Sequence, residues 1–271
     1  LIPRFLTSLS DDEQQVRRSF NLEHARFLAS RHLHFTPTLV EQWLAATKLP
    51  AEYFKGKVVL DAGCGSGRWS YAMAVLGATV VAVDFTEEGA RITSRATAGM
   101  ENVAVLQANI QRLPFRPGTF DLVVSWGVLH HTPDTRAAFE RLVPLIKPGG
   151  SGYIMVYEKH NPVKFACTNI LRRILQRFPE DTRYRFCRHL IIWNPVVHLL
   201  LKHVLLSDTR YKVTDPLDIS TKQLGLYDAY APVFNHLHTR EDVVSWFADN
   251  HFTDITLTSP VRFTRPLDVF R

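Results

Sequence analysis

Cysteine is scarce in this chain of 271 residues, which contains only Cys64, Cys167 and Cys187. The three are far apart and odd in number, and no two have the spacing of metal ligands. A disulfide framework like that of small secreted domains is therefore not expected. The first ten residues lack a long apolar run, so no signal peptide is predicted there. These features favour a protein of the reducing cytoplasm.

Long uninterrupted apolar runs are also missing, as are internal repeats and low-complexity tracts. The most apolar stretch is 191–206, but Asn194, Pro195 and Lys202 interrupt it. It is too short and too polar to span a bilayer comfortably. We interpret it as a core or lid helix, with a role at a membrane interface as the alternative.

Excess charge of one sign is small, since 32 Lys and Arg residues face 26 Asp and Glu residues. Most of the excess lies between Lys164 and Arg188, and the pattern there is typical of a solvated helix face. A membrane-surface patch and an entrance for an anionic substrate are the alternatives. No basic and aromatic motif of a nucleic-acid-binding module occurs, so no nucleic-acid partner is expected.

The order of periodic segments predicts four regions. Residues 1–55 have helical apolar spacing and would form an N-terminal helical cap. Residues 56–157 alternate apolar runs with helical segments, which predicts parallel strands joined by right-handed crossovers. Residues 158–237 break this rhythm and would form a helical insertion, interpreted as a substrate lid. Residues 238–271 would add a helix and strands that complete the sheet.

A glycine-rich turn follows the first predicted strand of the α/β region, in the segment VLDAGCGSG at 59–67. Glycines allow positive φ angles and a close approach of the backbone to a ligand. The spacing is G-x-G-x-G, unlike the G-x-G-x-x-G of dinucleotide sites, and Asp61 precedes the first glycine by two residues. That carboxylate would repel a pyrophosphate and attract a ligand with ammonium and sulfonium groups. Asp84 ends the next strand, where it could bind ribose hydroxyls.

The segment 57–157 resembles class I S-adenosylmethionine-dependent methyltransferases, in particular the broad group that contains ubiquinone and menaquinone methyltransferases. The ordered motifs that carry this resemblance are VLDAGCGSG at 59–67, VVAVD at 80–84, LPF at 113–115, FD at 120–121, VLHH at 128–131 and KPGG at 147–150. The resemblance implies a doubly wound, mostly parallel, seven-stranded Rossmann-like sheet. It also implies S-adenosylmethionine as the cofactor.

By this resemblance, eight residues would bind the cofactor. Asp61, Gly63, Gly65 and Ser125 would face its methionine end, Asp84 the ribose, and Phe85, Asn109 and Ile110 the adenine. The usual residue at position 109 is Asp. An Asn side chain can still accept a hydrogen bond from the adenine amine, but it lacks the charge.

Candidates for the methyl-acceptor side follow the later strands and the insertion. His131 comes after the strand that ends near Ser125, and Tyr157 ends the next strand. Asp228 and His236 lie in a segment rich in polar and aromatic residues, 227–238, that returns from the insertion to the sheet. Each could bind the acceptor or take a proton. The alternatives are a helix-entry role for His131 and a packed polar loop, or less favoured metal binding, for 227–238.

The sequence therefore predicts an enzyme that transfers a methyl group from S-adenosylmethionine to a small or lipophilic molecule. Proximity and alignment can suffice for this reaction, so neither a general base nor a metal is required. Non-methyl chemistry on the same scaffold and a non-catalytic S-adenosylmethionine-binding protein are the alternatives.

Overall fold

The centre of the fold is a sheet of short strands rich in Val, Leu and Ala, residues that pack well on a sheet covered on both faces. In a computed structural model, residues 2–6, 8–29, 37–159, 162–192, 216–258 and 266–270 are described. Within these ranges the sheet has eight strands: β1 (Arg4–Phe5), β2 (Val58–Ala62), β3 (Thr79–Asp84), β4 (Val103–Ala108), β5 (Phe120–Trp126), β6 (Ile146–Tyr157), β7 (Thr256–Leu257) and β8 (Pro266–Phe270).

The spatial order of the strands is β1-β4-β3-β2-β5-β6-β8-β7. The first six run parallel, and β8 pairs antiparallel with both β6 and β7. The chain moves outward from β2 to β4 and then returns to β5 on the other side of β2. This reversal opens a crevice at the carboxyl ends of β2 and β5, where ligands of such sheets bind.

The predicted doubly wound, mostly parallel sheet is confirmed, but its strand number was wrong by one. The additional strand is β1, which pairs with β4 through Arg4–Gln107 and Phe5–Ala108. It lies in the region that was predicted to be helical throughout. A two-residue edge strand carries no detectable alternation, so the pattern could not reveal it.

Nine helices occur within the described ranges: α1 (Asp11–Ala29), α2 (Pro37–Thr47), α3 (Arg68–Val75), α4 (Glu87–Ala96), α5 (Thr135–Leu142), α6 (Pro162–Leu175), α7 (Glu180–Ile192), α8 (Pro216–Tyr230) and α9 (Arg240–Asp249). Successive residues of a strand point to opposite faces of the sheet, and they belong to two different apolar clusters. Leu60 joins one cluster with Phe139 and Phe247, and Val59 joins another with Trp43 and Trp69. Both faces of the sheet are therefore covered.

Two arginines of the basic stretch 164–188 contradict its interpretation as a solvated helix face. Arg172 and Arg183 are buried. The guanidinium of Arg172 donates to the carbonyls of Ala229, Pro232 and Val233, and that of Arg183 donates to Ala231. These carbonyls lie at and just beyond the end of α8, where a cation is favourable. The two side chains thus fix the segment that follows α8.

Two sequence-based interpretations concern residues outside the described ranges. Most of the apolar stretch 191–206 falls there, since the description ends at Ile192 and resumes at Pro216. Part of the region 238–271, predicted to add strands to the sheet, also falls there, since residues 259–265 are not described. Among the helices that the structure describes, none has the length and apolar character needed to cross a membrane.

Candidate cofactor and acceptor site

The glycine turn after β2 has a backbone that residues with a side chain adopt only rarely. Gly63 and Gly65 have φ angles of 92° and 53°, and Gly67, at the start of α3, has φ of 79°. A Cβ atom on Gly63 would lie 2.2 Å from a methyl carbon of Val128. The amides of Gly63 and Cys64 donate to the Val83 carbonyl, which fixes the turn against the end of β3.

Asp84 ends β3 beside this turn and organises its surroundings. Its Oδ2 accepts a hydrogen bond from the Gly65 amide at 2.8 Å, and its Oδ1 accepts from the amide and hydroxyl of Thr86 at 2.8 and 2.6 Å. A Cβ atom on Gly89 would lie 2.6 Å from Oδ1, so α4 approaches the carboxylate closely. Asp84 is buried yet lines the cavity described next.

A cavity of about 350 Å³ extends from the glycine turn to the end of β6. Among the predicted cofactor residues, six line it: Gly63, Gly65, Asp84, Phe85, Asn109 and Ile110. Among the predicted acceptor residues, His131, Tyr157 and Asp228 line it. Its volume lies within the range of small-molecule sites. One cavity therefore joins the two sets of residues.

The other side of the cavity is closed by α1. A Cβ atom on Gly65 would lie 3.4 Å from Cε1 of His24, so the helix passes directly over the turn. Asn21 accepts a hydrogen bond from the Glu88 amide in the first turn of α4, at 3.0 Å. At the other end of the cavity, the Phe20 ring contacts the His131 ring, with centroids 4.9 Å apart.

Asn109 is joined to a carboxylate that sequence reasoning missed. Its amide nitrogen donates to Oε1 of Glu13 at 2.8 Å, while its own oxygen accepts from the Gln111 amide. Glu13 also exchanges hydrogen bonds with Ser10 as a capping box at the start of α1. Hydrogen bonds from Ser10 and Asn109, with the nearby charge of Arg112, lower the pKa of Glu13 despite the opposing effect of burial. Asn109 itself has no charge, but its partner Glu13 places a carboxylate in the cavity wall.

Two predicted cofactor residues do not reach the cavity. Asp61 is buried behind the turn, where it accepts a hydrogen bond from the Ser70 hydroxyl at 2.6 Å. Burial is the main cause that raises the pKa of Asp61 to about 6. The Ser125 hydroxyl donates to the Ala62 carbonyl at 3.0 Å. Neither residue is among those that line the cavity. Their side chains support β2 and the turn instead of facing a ligand, because local partners engage them.

Three of the four predicted acceptor residues form one connected chain of polar side chains. The Tyr157 hydroxyl donates to Oδ2 of Asp228, and Nε2 of His131 lies 3.2 Å from Oδ1 of the same carboxylate. Nδ1 of His131 lies 2.9 Å from the Phe234 carbonyl. Both ring nitrogens thus face oxygen atoms of other residues. Although burial opposes it, His131 is the leading cause that lowers the pKa of Asp228. Burial and the Asp228 charge raise the pKa of Tyr157.

The fourth predicted residue, His236, does not join this chain. Its ring stacks near Phe234, its amide donates to the His130 carbonyl, and it is not among the residues that line the cavity. His238 packs against Trp246, and burial lowers its pKa to about 4. Within the described residues, no group of three or more His, Cys, Asp or Glu side chains has the arrangement of a metal site.

Glu23 of α1 is a further cavity residue that sequence reasoning missed. Its Oε2 is buried and has no hydrogen-bond partner in the described part of the chain. Burial, followed by the charges of Asp228 and Asp84, raises its pKa well above the ordinary value. Glu13, Val16, Phe20 and Glu23 all line the cavity and recur at helical spacing. Acidic residues within an apolar helical stripe were the available signal.

Comparisons with known proteins agree with this geometry. A family described as "Methyltransferase domain" matches residues 59–150. A demethylmenaquinone methyltransferase of Staphylococcus aureus is 35% identical over 99 residues, which are 35% of this chain and 41% of the relative. The chain thus spans less than half the length of the curated relatives it matches.

Solved structures support the fold. Magnesium protoporphyrin IX methyltransferase from Synechocystis PCC 6803 with bound S-adenosylhomocysteine has a TM-score of 0.58 and 18% identity, over 96% of this chain and 100% of that one. The same enzyme with bound S-adenosylmethionine has a TM-score of 0.54 and 16% identity, over 98% and 100%. The predicted resemblance to methyltransferases is confirmed over residues 59–150, which match the methyltransferase-domain family, and the fold is shared with these solved structures.

Proposed function

We propose that this protein is an S-adenosylmethionine-dependent methyltransferase that acts on a small or lipophilic acceptor and produces S-adenosylhomocysteine. The observation that carries the proposal is one cavity with two different ends. The glycine turn and Asp84 form one end, and the Tyr157–Asp228–His131 chain forms the other. A cofactor and an acceptor can therefore meet inside a single cavity.

The residues at the first end fit S-adenosylmethionine. Asp84 would bind the ribose hydroxyls, since its carboxylate faces the cavity beside Gly65. Phe85 and Ile110 would contact the adenine, and Glu13 and Asn109 would meet its polar edge. Carboxylates that line the cavity favour a cationic ligand and disfavour a pyrophosphate. When bound, this cofactor supplies a methyl group on a sulfonium, whose sulfur becomes a neutral thioether as the methyl group leaves.

The residues at the second end would bind and orient the acceptor. Tyr157, Asp228 and His131 are held by hydrogen bonds and burial, so their polar atoms are fixed before a ligand arrives. Val128, Met155 and Phe234 add apolar surface to the wall. This mixture suits a lipophilic molecule with one or two polar groups. Demethylated quinols and porphyrins, suggested by the relatives' names, are the acceptors to test first.

We further propose roles for the remaining regions. Residues 1–55 form a cap and 158–237 a lid over the core at 56–157, and residues 238–271 complete the sheet. Ile170, Ile174 and Phe178, on and just after α6, have exposed apolar side chains. They favour peripheral contact between the lid and a membrane surface that faces the cytoplasm. Liposome flotation tests that contact, and the absence of association at low ionic strength would reject it.

The proposed activity is tested in two stages. Calorimetry should detect binding of S-adenosylhomocysteine and S-adenosylmethionine, and no binding of NAD. Incubation with S-adenosylmethionine and a panel of quinols and porphyrins should then yield S-adenosylhomocysteine together with a methylated product. NAD binding without S-adenosylmethionine binding would overturn the assignment. Binding without turnover on any acceptor would favour a non-catalytic protein, and a converted acceptor without a new methyl group would favour other chemistry.

A further inference from the structure

Four carboxylates line the cavity, and three of them, Asp84, Asp228 and Glu23, differ in their partners. Asp84 accepts hydrogen bonds from Gly65 and Thr86. Asp228 accepts one from Tyr157 and lies at ion-pair distance from His131. Glu23 has a buried Oε2 without a partner in the described part of the chain. The first two carboxylates have polar partners, and the third lacks an equivalent set of donors.

The groups that face Glu23 from the surrounding elements offer no positive charge. Asp84 at the end of β3 and Asp228 of α8 act on it as like charges. The tyrosines that interact with it electrostatically are Tyr157 of β6, Tyr184 of α7 and Tyr227 of α8.

Three basic side chains line the same cavity: His24, which lies over Gly65, together with His131 and Arg68. The His131 ring faces Asp228 and the Phe234 carbonyl, and the Arg68 guanidinium lies 4.5 Å from the centroid of the Trp69 ring. Carboxylates that share a site cannot all ionise, so the one without donors keeps its proton. Burial together with Asp228 and Asp84 raises the pKa of Glu23, in agreement with this argument.

We propose that Glu23 carries a proton in the free protein and releases it to solvent when a ligand with an added positive charge fills the cavity. The inference rests on the proposed function, and it makes Glu23 the residue that distinguishes S-adenosylmethionine from S-adenosylhomocysteine. The two molecules share an ammonium and a carboxylate, but only the first has a sulfonium. A sulfonium near Glu23 favours its anionic form, because opposite charges attract strongly inside a buried site.

This linkage changes the affinity of the site for the cofactor relative to its affinity for the product. When the ligand is cationic, the ionised Glu23 attracts its sulfonium. The neutral thioether has no charge for Glu23 to attract. With the thioether, Glu23 regains a proton from solvent and that attraction is lost. The site would therefore hold its cofactor more tightly than the product of the reaction, which relieves product inhibition.

The test is calorimetric titration of the full chain near pH 7 in phosphate and in Tris, whose ionisation enthalpies differ. S-adenosylmethionine binding should release about one proton per site, whereas S-adenosylhomocysteine binding should release almost none. In Glu23→Gln the release should disappear, and S-adenosylmethionine affinity should fall about tenfold or more. The affinity for S-adenosylhomocysteine should stay within about twofold.

Glu13→Gln is the matched control, because Glu13 lies on the same helix and lines the same cavity but accepts hydrogen bonds from Ser10 and Asn109. Its proton release should equal that of the wild type. Equal proton release with the two ligands, or full release in Glu23→Gln, would overturn the inference while leaving the proposed function intact. Failure of both ligands to bind the wild type would overturn both.

Thermal unfolding gives a second readout that needs no ligand. The pKa of folded Glu23 lies above its ordinary value of 4.5. Its protonation therefore stabilises the fold at low pH, and this contribution is lost as the pH rises through the folded-state pKa. The wild-type midpoint should fall relative to Glu23→Gln as the pH is raised above 4.5. A constant difference between the two midpoints across that range would contradict a protonated Glu23.

Discussion

The two ends of the cavity are built in different ways. The cofactor end comes mostly from one stretch of chain, 63–110, with Glu13 of α1 added, and relies on backbone amides, glycines and a carboxylate at the end of β3. The acceptor end brings together Glu23, His131, Tyr157 and Asp228, which lie on α1, after β5, on β6 and on α8. The first end is fixed by local geometry, and the second by packing among distant elements. Substitutions should therefore separate binding of the cofactor from use of the acceptor.

A substitution at Asp228 is expected to give the largest difference between its effect on turnover and its effect on cofactor binding. Asp228→Asn removes the charge that faces His131 and weakens the hydrogen bond from Tyr157, so the acceptor end loses its fixed arrangement. Turnover with the true acceptor should fall about 10²-fold or more. Calorimetry should show S-adenosylhomocysteine affinity within about threefold of the wild type, because that ligand's proposed contacts lie at the other end.

Asp249→Asn is the control for Asp228→Asn. It removes an exposed carboxylate that pairs with Arg136 at the surface, and turnover should not change. If Asp228→Asn abolished S-adenosylhomocysteine binding, the two ends would not be separable and the comparison would fail.

A substitution at Asp84 is expected to have the converse effect, a loss of affinity at the cofactor end. Asp84→Ala removes the acceptor atoms proposed for two ribose hydroxyls and also frees the Gly65 amide. Hydrogen bonds to a charged group contribute about 1.5–3 kcal/mol each, so S-adenosylhomocysteine affinity should fall at least tenfold. Glu87→Gln, an exposed change in the first turn of α4, should bind like the wild type. An unchanged dissociation constant in Asp84→Ala would remove this residue from the site.

The smallest effect tests the contact that joins α1 to the cofactor end. Asn109→Asp would place a second carboxylate where an amide now donates to Glu13 at 2.8 Å. Repulsion should lower the thermal midpoint by a few degrees, as expected for about 1 kcal/mol. Adding Glu13→Gln should restore most of that loss, since an amide again faces a carboxylate. Additive effects of the two substitutions would mean that the residues do not interact.

The same contrast explains what the sequence could predict. The glycine turn and Asp84 directly follow short apolar strands, and six of the eight residues predicted there to bind the cofactor line the cavity. Asp61 and Ser125 were predicted to face the ligand, but a sequence does not show that Ser70 and the Ala62 carbonyl engage them. Which side chain points into a cavity depends on hydrogen bonds to neighbours in space.

Prediction was weaker at the acceptor end. The segment 227–238 was selected for its density of polar and aromatic residues, and Asp228 lies in the cavity while His236 does not. Glu13 and Glu23 were missed because α1 was read as a cap defined by its apolar residues. A carboxylate on a helical stripe looks solvated until the partner surface is known. Arg172 and Arg183 show the same limit, since their acceptors are backbone carbonyls that no pattern identifies.

The short strand β1 determines how α1 can move. Phe5 pairs with Ala108, one residue before Asn109, so the start of the helix is anchored at the sheet edge. With a rise of about 1.5 Å per residue, Glu23 lies about 18 Å along the axis from Asp11 and Glu13 only about 3 Å. A tilt of about 10° about that anchor would displace Glu23 by about 3 Å and Glu13 by about 0.5 Å. Such a tilt would therefore move Glu23 much further than Glu13, and it would have to break the hydrogen bond between Asn21 and the Glu88 amide.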